Sequence, residues 1–132
     1  MATIKRFEDL ECWQSARQLA KVVFALSTKG PFAKDFEHKN QINNAAGSAA
    51  DNIAEGFGRG GKLEFVNFLS IASGSANEVK FQLYRALDKN YITQTEFDEA
   101  YELADKTAGK IGSMIQYLNQ SLFKGEKFKR NN

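Results

Sequence analysis

From Gln41 to Glu78, small and apolar residues recur three and four apart on both sides of one glycine-rich turn, Gly56-Phe57-Gly58-Arg59-Gly60-Gly61-Lys62. That spacing turns one face of each flanking segment inward at the period of an α-helix. Because so many of the inward residues are alanines, the two helix axes can lie close together. The stretch predicts a tight helical hairpin, with a second, polar stripe beside the apolar one. Gln41, Ser48, Asn52 and Glu55 form that stripe on the first arm, and Ser75 and Glu78 continue it on the second. A lone hairpin leaves an apolar face in water, so further helices must cover it.

The rest of the chain supplies them. Leu10, Trp13, Ala16, Leu19, Ala20, Val23 and Phe24 predict a first helix from near Phe7 to just before Gly30-Pro31. The hairpin arms are expected over about Glu37–Glu55 and Leu63–Asn90, with Gly56 ending the first arm in a left-handed conformation. Phe32 and Phe36 are expected to fold back as plugs for the bundle end. Phe97, Ala100, Ala104, Ala108, Ile111, Ile115 and Leu118 predict a last helix, begun by a Thr93–Glu96 capping box. Gly109 and Gly112 in its interior predict close packing against a neighbour, since each costs up to about 1 kcal/mol against alanine. The expected fold is all-α, an antiparallel up-and-down four-helix bundle over 1–123, followed by a basic tail over 124–132 that frays. Placing Glu55 level with Lys62 sets the hairpin register, so that Ser48 faces about Leu69 and Ala45 faces Ala72.

Composition agrees with one globular domain: 132 residues, 42% apolar and 26% charged. The single cysteine excludes an intrachain disulfide. No stretch is apolar for the ~18 residues a membrane span needs. Both observations point to the cytoplasm. The net charge of +2 is too small to imply a polyanion partner by itself.

The candidate chemistries thin out quickly. The turn matches the G-x-x-x-x-G-K spacing of a phosphate loop, but Leu63 stands where the magnesium-binding hydroxyl belongs, and a helix precedes it instead of a strand. What survives is a loop that could hold a backbone phosphate on glycine N–H groups, Arg59 and Lys62. One histidine, His38, and one cysteine, Cys12, cannot build a di-iron or zinc site of the usual kind. No metal, cofactor or catalytic residue is expected. The polar seam of Ser48, Asn52, Glu55, Ser75 and Glu78 reads as a hydrogen-bonded register device before it reads as an acid–base pair, and Arg59 is the expected partner of Glu55. Lys80 and Arg85 on the third helix, with Lys124, Lys127, Lys129 and Arg130 in the tail, form the candidate surface for RNA or DNA.

Phe7-Glu8-Asp9-Leu10 with Trp13, Gln41-Ile42, Ser48, Asn52-Ile53-Ala54-Glu55-Gly56, Arg59, Phe65, Phe68-Leu69, Ile71-Ala72, Gly74-Ser75 and Glu78 resemble the 23S rRNA intervening-sequence proteins. The resemblance spans nearly the whole chain. It implies a bacterial four-helix bundle with no established enzymatic activity. A more distant likeness, to the accessory variability proteins of diversity-generating retroelements, implies a homo-pentamer that contacts nucleic acid. Asn43 and Asn44 depart from the arginines that many relatives carry after the Gln-Ile pair, which weakens that face as a nucleic-acid surface. The leading expectation is therefore a non-enzymatic, self-associating bundle that contacts RNA or DNA with little sequence preference. The alternative is a protein-interaction adaptor.

Overall fold

Leu10 keeps an extended backbone, and its predecessors Phe7–Asp9 form a 3₁₀ turn, so the first helix starts later than its apolar spacing suggests. A computed structural model describes the backbone of residues 4–130 and the side chains of residues 4–121. Within it α1 runs Glu11–Ser27, α2 Gly30–Lys34, α3 Phe36–Gly58, α4 Lys62–Asp88 and α5 Gln94–Arg130. The four long helices form a ring in which α3 lies on α4, α4 on α5, α5 on α1 and α1 on α3. Helices adjacent in that ring run antiparallel. The described residues contain no strand, and none of their helices is long and apolar enough to cross a membrane.

Local chemistry explains each break. Gly30 takes a positive φ of 54° and Pro31 occupies the first turn of α2, where a missing N–H costs nothing. Asp35 caps α3 by accepting the His38 N–H at 3.2 Å. Asn90, with φ of 60°, ends α4, and the Tyr91 N–H closes on the Ala86 carbonyl at 2.9 Å. The expected capping box opens α5: Thr93 Oγ1 accepts the Glu96 N–H, and Glu96 Oε1 accepts the Thr93 N–H.

Two buried clusters fill the ring. One centres on Leu19, Val23, Phe32, Ile42, Val79 and Leu83, the other on Leu10, Ala16, Ile53, Leu69, Ala76 and Ile111. Between α1 and α5 the buried Ser15 and Thr107 hydroxyls bond at 2.6 Å. Thr107 already donates to the Leu103 carbonyl, so Ser15 is the donor in that pair.

Several expectations need correction. Gly56 does not end its helix; α3 continues to Gly58, and Gly60 takes the positive φ, 85°. Gly56 is instead buried where α4 crosses closest: a Cβ there would lie 2.5 Å from Phe68 Cβ. The longer helix shifts the register by more than one turn, so Ser48 meets Ser75, not Leu69. Phe32 is fully buried as expected, but Phe36 is 71% exposed and Phe24 also faces outward. Gly109 and Gly112 have no intrachain atom within 4 Å of where a Cβ would stand, so no helix of the same chain packs on them. Over the tail 124–132 the backbone continues α5 as far as Arg130, where fraying was expected, and the side chains lie outside those described.

Candidate functional site

The seam between α3 and α4 holds three of its five expected members together. Asn52 Nδ2 donates to the Ser48 carbonyl at 2.8 Å and to Ser48 Oγ at 2.9 Å, and Ser75 Oγ donates to Ser48 Oγ at 2.9 Å. These short side chains satisfy one another across the helix pair and lock its register. Glu55 turns outward and pairs with Arg59 at 3.0 Å, the partner expected for it. Glu78 is also exposed. The two carboxylates therefore do not converge, and the seam holds no acid–base pair.

The richer chemistry lies further along the same groove, at the end where α3 starts and α4 stops. Lys89 Nζ donates to His38 Nδ1 at 3.2 Å, which assigns the ring proton to Nε2. Nε2–H then donates to the Gln82 carbonyl at 3.1 Å. Asp35 accepts from Tyr91 Oη at 2.7 Å and from Lys89 at 3.2 Å, besides capping α3. Gln82 Nε2 donates to Gln41 Oε1 at 3.3 Å. A cleft of about 200 Å³ opens beside this network, edged by Glu37 and Arg85. Two of these residues were legible as anomalies: His38 stands four residues before Ile42, and Gln82 four before Ala86, both on otherwise apolar stripes.

The network fixes charge states. The Tyr91 hydroxyl, then the His38 N–H and Lys89, hold the Asp35 carboxyl down at about 2. Burial, reinforced by the Lys89 ammonium, holds His38 below its ordinary 6.5 and keeps it neutral. Both shifts act in the same direction. The His38 contribution to stability is full above pH 6.5 and falls below it, because the unfolded chain takes up the proton more readily. The Asp35 contribution is full above pH 3.8 and is lost as pH falls towards about 2. Urea titrations across this range should therefore show two successive losses of stability. Asp35→Asn should shrink the lower one, to which Glu96, held down by the Thr93 N–H and Lys29, also contributes, and leave the upper.

The expected cations do not form one patch. Arg59 is bound to Glu55 and lies over the Phe68 ring, 5.3 Å from its centroid. Lys80 bonds Asp105 at 2.6 Å, which raises its pKa, and lies over Tyr101. Lys62 bonds Ser121 Oγ on α5. Arg85 is exposed at the opposite end of α4 from Lys62, roughly 35 Å away along the axis. Lys124, Lys127, Lys129 and Arg130 lie outside the described side chains. The Lys62–Ser121 bond nonetheless shows that α5 arrives at the Arg59–Lys62 turn just before the basic residues begin.

Two surface features went unread in the sequence. Along α4, Leu63, Ile71 and Phe81 are 65%, 54% and 57% exposed, and Gly74 between them is open to solvent. Leu63, Gly74 and Phe81 are eleven and seven residues apart, close to whole helical turns, so they share one outward line. Apolar residues on a helix normally signal burial, and nothing in the spacing separates this line from the core stripe next to it. The second feature is a largely apolar groove of about 720 Å³ between the start of α1 and α5, lined by Leu10, Cys12, Lys106, Lys110, Met114 and Tyr117. Burial pushes the Cys12 thiol up to about 11, so it is not a nucleophile at neutral pH. No group of three or more potential ligands among the described residues is placed to hold a metal ion.

Ring topology, close-packed hairpin and self-satisfied seam define an all-α helical-bundle protein. The chain belongs to the 23S rRNA-intervening sequence protein family, whose sequence profile matches residues 8–113. Among solved structures it is similar to a protein of unknown function from the S23 ribosomal protein family of Bacteroides thetaiotaomicron VPI-5482. The two are 23% identical with a TM-score of 0.73, over 80% of this chain and 95% of that one, a likeness that speaks for the fold. No curated protein matches the chain. Neither similarity brings a catalytic activity with it.

Proposed function

We propose that this protein is a non-enzymatic helical bundle that self-associates and, once assembled, contacts RNA or DNA with little sequence preference. The observation that carries the reading is the outward face of α4 on which Leu63, Ile71 and Phe81 stand exposed. Large apolar side chains left facing water are a cost that association removes. Gly74, on the same outward line as Leu63 and Phe81, lets a partner helix approach closely. The likeness to ring-forming accessory variability proteins supports a homo-pentamer. We assign nucleic-acid contact to the end of the bundle where Lys62 and the start of α4, which has no side-chain cap, meet α5 at Ser121, three residues before Lys124 in the sequence. Free N–H groups at a helix start suit a phosphate, and a closed ring repeats a weak contact several times.

Light scattering with an absorbance ratio on the purified protein tests both parts. The expected mass is a multiple of 14.8 kDa, collapsing to one chain in Phe81→Glu, whose exposed site tolerates the charge without unfolding. A wild-type monomer at working concentrations would refute the self-association. Binding to structured RNA or duplex DNA should be measurable at low salt and fall steeply as salt rises; no binding at low salt removes that part. The local neutralisation of Arg59 and Lys80 favours a second reading, an adaptor docking another protein on the same face of α4. Partners captured regardless of nuclease and salt would select it.

A further inference from the structure

We infer that the cleft between the start of α3 and the end of α4 is a binding site for a small zwitterion of the free α-amino acid class. This inference stands independently of the proposed assembly. Glu37 sets the polarity of a short relay. Its carboxylate can only accept, so Gln41 turns its Nε2 towards it, at 3.5 Å. Gln41 therefore presents Oε1 to Gln82, and Gln82 must answer with Nε2. The carboxamide oxygen of Gln82 is left over. Gln82 is 4% exposed and lines the cleft, and its Oε1 is the buried side-chain oxygen without a hydrogen-bond partner among the described residues. An orphaned buried acceptor of this kind calls for a donor.

The remaining groups define the rest of the ligand. Asp35, Lys89 and both nitrogens of His38 are committed to one another and to Tyr91 and the Gln82 carbonyl. Arg85, a cation on α4, and Glu37, an anion on α3, edge the cleft without pairing with each other. The buried need is an N–H donor for Gln82 Oε1, while Arg85 and Glu37, exposed at the rim, are open to exchange water for an anion and a donor. An α-amino acid carries both on one carbon: a carboxylate for the guanidinium and an ammonium with three hydrogens for the two acceptors. A simple anion would add charge beside Glu37 and leave Gln82 unmet, and a simple cation would do the reverse. The cleft, about 200 Å³, is roomy enough to take one amino acid.

The test is thermal melting and titration calorimetry of the full chain with each of the twenty α-amino acids, with acetate, methylammonium and a nucleoside as controls. At least one amino acid should raise the melting midpoint and bind. Affinity should fall roughly tenfold or more in Arg85→Met and in Gln82→Leu. Gln82→Leu alone should melt no lower than wild type, since it removes the unpaired oxygen. Should that variant fail to fold, Arg85→Met, at an exposed position, still decides. The site is refuted if no amino acid binds, if binding survives in Arg85→Met, or if acetate or the nucleoside binds as well as any amino acid.

Discussion

Replacing Phe32 with alanine should cost about 3–5 kcal/mol and lower the melting midpoint by roughly 10–20 °C. Phe32 sits on α2, the five-residue helix that Gly30 and Pro31 place across the end of the bundle, and it is fully buried. Its ring stacks on Tyr91 at 5.1 Å and lies 4.9 Å from His38. Deleting the ring opens a cavity beneath the Asp35–Lys89–His38 network and removes the surface on which those polar groups are aligned. The same substitution at Phe36, four residues on and 71% exposed, should change stability by no more than about 0.5 kcal/mol. Melting curves of the two variants side by side check the assignment, and equal losses would overturn it.

Gly56→Val should destabilise the protein by about 3 kcal/mol or more. The contact that forces this is the 2.5 Å between a new Cβ and the Cβ of Phe68, with Phe65 Cδ1 at 3.1 Å. The Phe68 atom is fixed to the α4 backbone and cannot rotate away, so the two helices must separate. Overpacking a tight interface typically costs about 1–3 kcal/mol and occasionally more, and valine's small gain in helix propensity over glycine, roughly a few tenths of a kcal/mol, does not offset it. Denaturant titration measures the loss. Gly112→Ala provides the contrast: with nothing within 4 Å, helix propensity should stabilise the monomer by up to about 1 kcal/mol. A stability loss at Gly112 would mean that another copy packs on that face.

The helices were legible because their apolar residues keep a helical period over many turns, and because Thr93 with Glu96 and the Asn90 break carry local signals strong enough to place an end. The hairpin register was misread for one reason. A glycine at the end of a helical pattern suits two roles, a left-handed stop and a close crossing, and Gly56 has the second while Gly60 has the first. One extra turn of α3 then moves every cross-helix pair. Phe24, Phe36 and Phe81 were misjudged or passed over because apolarity records which residues avoid water, not which of them find cover within one chain. Among the candidate site residues, Ser48, Asn52 and Ser75 were placed together correctly. Arg59 was matched to Glu55, while Lys80 was offered to nucleic acid although Asp105 on the next helix already holds it. Partners contributed by a neighbouring helix depend on register and cannot be read from either helix alone. The His38–Gln82 cleft escaped notice for the same reason: its parts are forty-four residues apart and each is ordinary singly.

The bond between Ser15 and Thr107 has a kinetic consequence. Three of the four helix contacts in the ring join long helices that follow one another along the chain, with only the short α2 between α1 and α3, so each can form by folding back across a short connection. The α1–α5 contact instead joins residues ninety-two apart, and its loop-closure entropy falls due only after the other three pairs exist. The ring should thus close last, and reopen first, along the line marked by these two hydroxyls. The wide groove beside Cys12 runs along that same line. Amide hydrogen exchange would find the least protected of the long-helix contacts there, while the α3–α4 hairpin holds its protons longest.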